Sequence, residues 1–222
     1  MSSRSRRSRI VAGASLLALV ALGAVFFAVR PAPTPFDRAT TERLVAVRGE
    51  TLNAFAVHAS FLFSPVVAVG TTAAAACALV LRDRSPYRAL PVAATSAVAA
   101  GAAAVFKVAV ARPRPPEHLQ VGPPEGTYSY PSGHVTGTAA LVAVLLVVVV
   151  ADRPRGQALA AYTLGAGAVL LCAWTRIYLG MHWLSDTTAG VLLGVSAALL
   201  VPPVVEPVAE RLGHLPLRKG QR

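Results

Sequence analysis

Two histidines of this 222-residue chain stand in contexts that suit chemistry on a phosphate group, and the first ends the motif Tyr130-Pro131-Ser132-Gly133-His134. A long apolar stretch follows, so Ser132 is a natural N-cap and Gly133 lets a phosphate approach the free N–H groups of a helix start. An imidazole donates a proton near neutral pH, which makes His134 a candidate acid beside that anion. The alternative for this motif alone is an ordinary helix cap with an interfacial histidine.

The second histidine, His182, is followed four residues later by Asp186. On one helix this spacing would place both side chains on the same face, where the carboxylate holds one imidazole nitrogen and leaves the other free and more basic. Such an imidazole is a candidate nucleophile. Arg176 lies six residues before His182 and adds a guanidinium that can bind two phosphate oxygens. A structural His–Asp pair is the alternative here.

A third motif runs from Lys107 to Pro115, with Arg114 just before its end. It closes an apolar stretch, and its prolines are expected to stop a helix. A lysine point charge and an arginine fork together make an anion site. Basic residues that anchor a membrane helix at the interface are the alternative.

Together the three motifs resemble the signature of the type 2 phosphatidic acid phosphatase (lipid phosphate phosphatase) superfamily: K-x6-R-P, then P-S-G-H, then S-R-x5-H-x3-D. The match extends from Lys107 to Asp186. Thr175 stands where the signature has serine, and this departure keeps a hydroxyl group.

The resemblance implies that His182 attacks phosphorus and forms a phosphohistidine, that Asp186 positions it, and that His134 protonates the leaving group. It also implies a phosphate-binding set formed by Lys107, Arg114, Ser132, Gly133 and Arg176. No acidic cluster suited to Mg²⁺ lies beside these residues, so we expect a reaction without metal or cofactor. The implied substrate is a lipid phosphate or diphosphate, namely phosphatidic acid, phosphatidylglycerol phosphate or a polyprenyl diphosphate. The sequence does not choose among these three.

Six apolar stretches are long enough, or nearly so, to cross a bilayer as helices. They cover residues 10–29, 61–81, 89–111, 135–151, 157–175 and 187–205. Only 14% of the residues are charged, against about 25% in soluble domains. We therefore predict an all-α polytopic membrane protein with six transmembrane helices, a single domain at residues 10–205, a basic arm at 1–9 and a tail at 206–222. A cleaved signal peptide is the alternative for the first stretch, which is longer than such peptides usually are.

The net charge of +11 comes from basic residues at the ends of apolar runs. That distribution argues against nucleic acid as a partner and follows the positive-inside rule. The rule places both termini in the cytoplasm and the three motifs outside the plasma membrane. Arg112, Arg114 and Arg176 are exceptions on the outer side, which favours a functional use. The connector at residues 30–60, with room for a short amphipathic helix, is assigned no chemistry.

The alternatives to a membrane phosphatase come from other classes. A non-catalytic lipid-phosphate-binding protein would not need His134, His182 and Asp186 together. A transporter would more often place ionisable groups at mid-membrane. Vanadium-dependent haloperoxidases share these motifs but are soluble, unlike a chain with six apolar spans. The oligomeric state stays open.

Overall fold

Eight α-helices make up the described part of the chain, residues 3–123, 125–150 and 153–213 of a computed structural model. In chain order these are α1 (Ser3–Val29), α2 (Pro35–Ala46), α3 (Glu50–Leu62), α4 (Pro65–Asp83), α5 (Ala89–Val110), α6 (Gly133–Leu145), α7 (Arg155–Tyr178) and α8 (Leu184–Gly213). A 3₁₀ turn at Glu117–Leu119 interrupts the connection between α5 and α6, and a π-helical segment at Leu146–Val150 extends α6. Within the described ranges no β-strand is present beyond one isolated bridge, between Pro113 and Tyr128.

Six of these helices, α1 and α4 to α8, are long and apolar enough to cross a membrane. The prediction of an all-α protein with six spans is confirmed. Helices α1 and α8 are longer than their predicted apolar runs, because α1 begins at Ser3 within the basic arm and α8 continues to Gly213. Helix α4 begins at Pro65 and not at residue 61, because α3 extends to Leu62. Residues 214–222 of the predicted tail lie outside the described residues.

Helix α8 passes through three prolines, which lack the N–H group that the preceding turn needs. Pro207 therefore leaves the carbonyl of Pro203 without its usual helical partner. The guanidinium of Arg6 on α1 donates a hydrogen bond to that carbonyl at 2.7 Å. Packing of α1 against α8 thus satisfies a backbone group that the sequence of α8 leaves free.

Helices α6 and α8 approach each other closely because glycines line α8 where they meet. A Cβ at Gly194 would lie 2.7 Å from the carbonyl oxygen of Thr136, and one at Gly190 would lie 2.9 Å from that of Ser132. The backbone N–H of Ser132 also donates to the carbonyl of Asp186 at 3.0 Å. The first turns of α6 and α8, which contain the predicted site residues, are therefore held side by side.

The connector at residues 30–60 forms two helices, α2 and α3, at the same end of the bundle as the three motifs. Thr34 and Asp37 form a capping box at the start of α2. The N–H of Asp37 donates to Oγ1 of Thr34 at 3.1 Å, and the N–H of Thr34 donates to Oδ2 of Asp37 at 3.0 Å. This reciprocal pair fixes the entry into α2 and the position of Asp37.

Candidate active site

A cavity of about 740 Å³ opens where α5 and α7 end and α6 and α8 begin. Its lining includes residues from all three sequence motifs: Lys107, Arg114, His134, Arg176 and His182. Gly133 also borders the cavity. The structure therefore brings together side chains that lie as much as 75 positions apart in the sequence. Helix ends create the site, since each motif occupies the last or first turn of a span.

The turn before α8 positions His182. Helix α8 begins at Leu184, so His182 and Asp186 do not share a helix, as the i, i+4 argument had assumed. Their side chains still meet, with Nδ1 of His182 3.6 Å from Oδ2 of Asp186. The same oxygen accepts the N–H of Trp183 at 2.9 Å. Asp186 thus holds the turn that places His182, and its carboxylate faces the imidazole.

A glycine permits the chain to leave α7 and reach His182. Gly180 has a φ of 69°, and a Cβ there would collide with the carbonyl group of Leu119. The guanidinium of Arg48 donates from Nη1 to that same carbonyl at 2.8 Å, and from Nε to the carbonyl of Tyr178 at 3.0 Å. Helix α2's end thereby supports the turn.

His182 is fully buried, and its Nε2 atom lies 3.2 Å from Nη1 of Arg114. Burial, followed by the nearby cations Arg114, Arg176 and Lys107, holds the pKa of His182 well below its ordinary 6.5. The imidazole is therefore neutral at physiological pH, with a nitrogen lone pair available toward the cavity.

Arg176 and Arg114 are joined by Glu125, a residue that the sequence analysis missed. Nη2 of Arg176 donates to Oε1 of Glu125, and Nη1 of Arg114 lies 3.3 Å from Oε2. Nε2 of His134 lies 3.9 Å from Oε1. Burial alone would raise the pKa of Glu125, but Arg176, His134 and Arg114 lower it below its ordinary value. Glu125 is therefore an anion among the predicted phosphate ligands.

The remaining contacts of the two arginines are largely with backbone or hydroxyl oxygen atoms. Arg114 donates from Nη1 to the carbonyl of Met181 at 2.7 Å, and from Nε to the carbonyl of Gly126. Arg176 donates from Nη1 to the hydroxyl of Ser60, at the end of α3. The guanidinium groups are thus aimed at the cavity by neutral acceptors.

Lys107 lies in the last turn of α5, where Nζ donates to the carbonyl of Tyr128 at 3.0 Å. Ala111 ends that helix with a left-handed φ of 49°. Lys107 Cε is 4.0 Å from the point where a Cβ of Gly133 would stand. The missing side chain of Gly133 therefore leaves space between the lysine and the first turn of α6.

Ser132 occupies the N-cap position of α6, as predicted, but its side chain makes no capping hydrogen bond. The hydroxyl is buried, and Ser132 is not among the described residues that line the cavity. Packing of α6 against Gly190 explains this, because that contact encloses the N-cap. Phosphate binding by Ser132 stays a prediction.

Behind His182 lies a second group that the sequence analysis missed, Arg112 between Asp37 and Asp186. Arg112 had been noted only as a basic residue on the unexpected side of the membrane, and Asp37 belongs to the connector that was assigned no chemistry. The structure places Asp37 in this group, because Arg112 forms one ion pair with Asp37 and another with Asp186, whose carboxylate faces His182.

The arrangement can support phosphoryl transfer. A neutral imidazole, three cations and a second imidazole converge on one cavity, and such transfer depends mainly on alignment and on neutralising the charge of the phosphate oxygens. Among residues 3–123, 125–150 and 153–213, no cluster of three or more His, Cys, Asp or Glu side chains is placed to hold a metal ion.

A family model of the PAP2 superfamily matches residues 88–208, more than half of the chain. The chain therefore belongs to the PAP2 superfamily. An undecaprenyl-diphosphatase of Sulfolobus acidocaldarius is 35% identical over 95 residues, which cover 40% of this chain. The match spans 42% of that relative's length.

A crystal structure of a transmembrane PAP2 type phosphatidylglycerolphosphate phosphatase from Bacillus subtilis superposes with a TM-score of 0.71. The superposition covers 91% of this chain and 98% of that one, at 22% sequence identity. This likeness shows a shared fold.

Proposed function

We propose that this protein is a lipid phosphatase that hydrolyses a phosphomonoester or diphosphate of a membrane lipid through a phosphohistidine intermediate. The observation that carries the proposal is the buried His182, which lines the cavity together with the cations Lys107, Arg114 and Arg176 and has its Nε2 3.2 Å from Arg114. Membership of the PAP2 superfamily supports the same activity.

In the first step, Nε2 of His182 attacks phosphorus while the bond between phosphorus and the lipid oxygen breaks. The imidazole gains positive charge, which the carboxylate of Asp186 stabilises across 3.6 Å. His134 gives its proton to the departing oxygen. Arg114, 3.2 Å from Nε2 without substrate, turns to the phosphate oxygens, as does Arg176.

In the second step, water attacks the phosphorus of the phosphohistidine. His134, now neutral, accepts a proton from that water, and the bond between phosphorus and Nε2 breaks. Inorganic phosphate leaves, His182 is again neutral, and His134 is again protonated. The two histidines therefore return to their starting states without a metal or cofactor.

The cavity's apolar side supports a lipid substrate. Phe61 at the end of α3 and Pro65 at the start of α4 border it, as do Ala104 and Val108 along α5. Phe61 and Val108 are 65% and 73% exposed in a protein whose outer surface faces lipid. A headgroup in the cavity can thus keep its tail in the bilayer. The relatives' names make phosphatidylglycerol phosphate and undecaprenyl diphosphate the first substrates to test.

We propose further that the site faces outward from the plasma membrane and that both termini are cytoplasmic, from the distribution of lysine and arginine. Single cysteines at Thr127 and Gln157 would report the two sides in intact cells. An impermeant thiol reagent should label position 127 and leave position 157 unlabelled. The reverse pattern would contradict this orientation.

The activity is tested by phosphate release from purified, detergent-solubilised protein. Phosphatidic acid, phosphatidylglycerol phosphate and a polyprenyl diphosphate form the panel. Release should persist in EDTA and be inhibited by vanadate, which mimics the phosphoryl transition state. Binding of these lipids without any release would instead favour a non-catalytic lipid-phosphate-binding or transport protein. Activity that is lost in EDTA and restored by Mg²⁺ would refute the metal-independent scheme.

A further inference from the structure

Asp37, Arg112 and Asp186 form a chain of buried charges behind the nucleophile. Nη2 of Arg112 lies 2.9 Å from Oδ2 of Asp37, and Nη1 lies 2.5 Å from Oδ1 of Asp186. The three side chains are 1%, 0% and 0% exposed in that chain order. Because the side chains are buried, solvent screens these charges little, and each acts strongly on its neighbours.

The connector helix α2 is fastened to the start of α8 through the same group. The N–H of Ser185 donates to Oδ1 of Asp37 at 2.8 Å, and the hydroxyl of Ser185 lies 2.9 Å from both carboxylate oxygens. The face of the Arg112 guanidinium stacks on the ring of Phe27 at 3.7 Å. Arg112 is therefore held on its edges by oxygen atoms and on its face by an aromatic ring.

Arg112 and His182 use different oxygen atoms of Asp186. Oδ1 accepts from Arg112, while Oδ2 accepts from the backbone of Trp183 and faces Nδ1 of His182. The bond to Arg112 thus fixes the rotation of the carboxylate that presents Oδ2 to the imidazole. Loss of Arg112 would remove the hydrogen bond that holds Oδ1, and with it one of the constraints on that rotation.

The charges also balance in a way that serves His182. Arg112 beside Asp186 alone would form a neutral pair and cancel much of the negative field at the imidazole. Asp37 adds a second carboxylate. With Asp186 ionised, as its 2.5 Å contact with the guanidinium of Arg112 favours, the group carries one net negative charge. Burial would raise the pKa of Asp37, but hydrogen bonds from Ser185, Thr34 and Arg112 lower it, so Asp37 is ionised at neutral pH.

We infer that Asp37 and Arg112 are positioning residues for the nucleophile: they set the orientation and the effective charge of Asp186, and through it the reactivity of His182. The inference rests on the proposed phosphatase function. Neither Asp37 nor Arg112 lines the cavity, so both act through Asp186 and not on the substrate.

The test is Asp37→Asn, which keeps the size and shape of the side chain and removes its charge. We expect kcat to fall about 10- to 100-fold, the range seen when groups that orient a reacting residue are lost. The KM for the lipid phosphate should change less than about threefold, because the phosphate contacts of the cavity are intact. Asp37→Glu should restore part of the lost kcat by returning the carboxylate.

A double-mutant cycle separates this route from a general structural effect. In the Asp186→Asn background, Asp37→Asn should cause no further fall in kcat, because the group through which it acts is already neutral. The matched control is Asp83→Asn, which removes a carboxylate paired with Arg82 at the opposite end of the bundle and should keep wild-type kcat.

An unchanged kcat in Asp37→Asn, or additive losses in the double variant, would overturn the inference while leaving the phosphatase function standing. A wild-type protein that releases no phosphate would overturn both. If Asp37→Asn does not fold, Ser185→Ala replaces it, since it removes only the bridging hydroxyl. That variant should lose about 3- to 10-fold in kcat at constant KM, and a wild-type kcat would again refute the inference.

Discussion

The candidate site has two sides that hold their charges in different ways. We call them the nucleophile side, after the proposed nucleophile His182, and the phosphate side, after the proposed phosphate ligands Lys107, Arg114 and Arg176. On the nucleophile side, His182, Asp186 and Arg112 are buried, and the ions among them pair with one another or with Asp37. On the phosphate side, the cations contact backbone carbonyls, a hydroxyl and the carboxylate of Glu125, which is 25% exposed. One side is a closed network, and the other borders an open cavity.

We interpret the difference as follows: the charges of the nucleophile side orient another side chain, and those of the phosphate side are available to bind a ligand. Removing one partner of a buried ion pair costs about 3–5 kcal/mol, because the other charge remains unpaired. A partly exposed pair is worth much less, so an arriving anion can replace its acceptor. The two carboxylate oxygens of Glu125 therefore occupy positions beside Arg114 and Arg176 that oxygens of a phosphate group can take. A ligand cannot replace Asp37 or Asp186 in the same way, because both are buried.

The largest effect should come from the nucleophile. His182→Ala should lower kcat by at least about 10⁴-fold, because no neighbouring group can replace an attacking imidazole. The measurement is phosphate release from a lipid phosphate, with folding checked by thermal melting in detergent. Asp186→Asn should retain measurable turnover, since it weakens orientation without removing the nucleophile. Near-wild-type rates in His182→Ala would refute the phosphohistidine mechanism, and with it the distinction between a nucleophile side and a phosphate side.

The next effect should depend on the leaving group. His134→Ala should slow formation of the phosphoenzyme from a lipid monophosphate by about 10²- to 10⁴-fold, because a lipid alkoxide needs a proton in the transition state. The loss should be much smaller with p-nitrophenyl phosphate, whose phenolate leaves with little help. A polyprenyl diphosphate should fall between the two, since its leaving group is a phosphate monoester.

Phosphoenzyme formation must be timed separately from turnover, because His134 is also the proposed base of the second step. His182→Ala is the matched comparison, and it should lose activity on all three substrates. Equal losses for His134→Ala with every leaving group would show that His134 binds phosphate but is not the acid. It would then belong with the cations of the phosphate side.

The sequence was sufficient to predict the six spans and five of the side chains that line the cavity, namely Lys107, Arg114, His134, Arg176 and His182. Apolar length decides the former, because a helix must satisfy its backbone within the bilayer. Motif spacing decides the latter, because each motif falls at a span end. Ser132 occupies the predicted N-cap position, but its side chain does not make the capping hydrogen bond that this position suggested. The sequence of α6 alone could not predict the close packing of α8 against this N-cap.

The residues that were missed are those whose partners are distant in the sequence. Arg112 pairs with Asp37, 75 positions away, and Glu125 pairs with Arg176, 51 positions away. No local spacing predicts such pairs, since helix packing and loop closure bring them together. The one available signal was Arg112 itself, an arginine that is an exception to the positive-inside rule in the predicted topology and had no assigned role.

A smaller effect is expected at Glu125. Glu125→Gln removes the charge that competes for Arg176 and Arg114, so inorganic phosphate should bind about 3- to 10-fold more tightly at pH 7. Because the pKa of Glu125 is lowered, the carboxylate is ionised at that pH, so the substitution removes a full negative charge from the phosphate side. The measurement is competition by inorganic phosphate against lipid hydrolysis.

Glu117→Gln provides the matched control, since Glu117 is an exposed glutamate in the same connection between α5 and α6. It should leave phosphate affinity unchanged. Weaker phosphate binding in Glu125→Gln would mean that the carboxylate orders the arginines more than it competes with the ligand. The phosphate side would then resemble the closed nucleophile side.

The smallest effect concerns pH and the stability of the nucleophile side. Burial, and after it Arg114 and Arg176, lower the pKa of His182, so the folded protein keeps this imidazole neutral as the pH falls below 6.5. In the unfolded chain the same imidazole takes up a proton near pH 6.5. The unfolded state then binds more protons, and stability decreases as pH falls, by at most about 1.4 kcal/mol per pH unit.

Between pH 6.5 and 5.5, the Tm of the wild-type protein should therefore fall about 2–4 °C further than that of His182→Gln, which has no imidazole to charge. His58→Gln removes an exposed histidine of α3 and should keep the wild-type decrease. All three proteins contain His134 and are measured in the same detergent, so the contribution of His134 cancels when their Tm values are compared. Equal decreases in the wild type and His182→Gln would show that the nucleophile side accepts a proton without penalty. The contrast between a closed network around His182 and an exchangeable phosphate side would then fail, because this buried imidazole charges freely only if water reaches it or if Asp186 outweighs burial and the nearby cations.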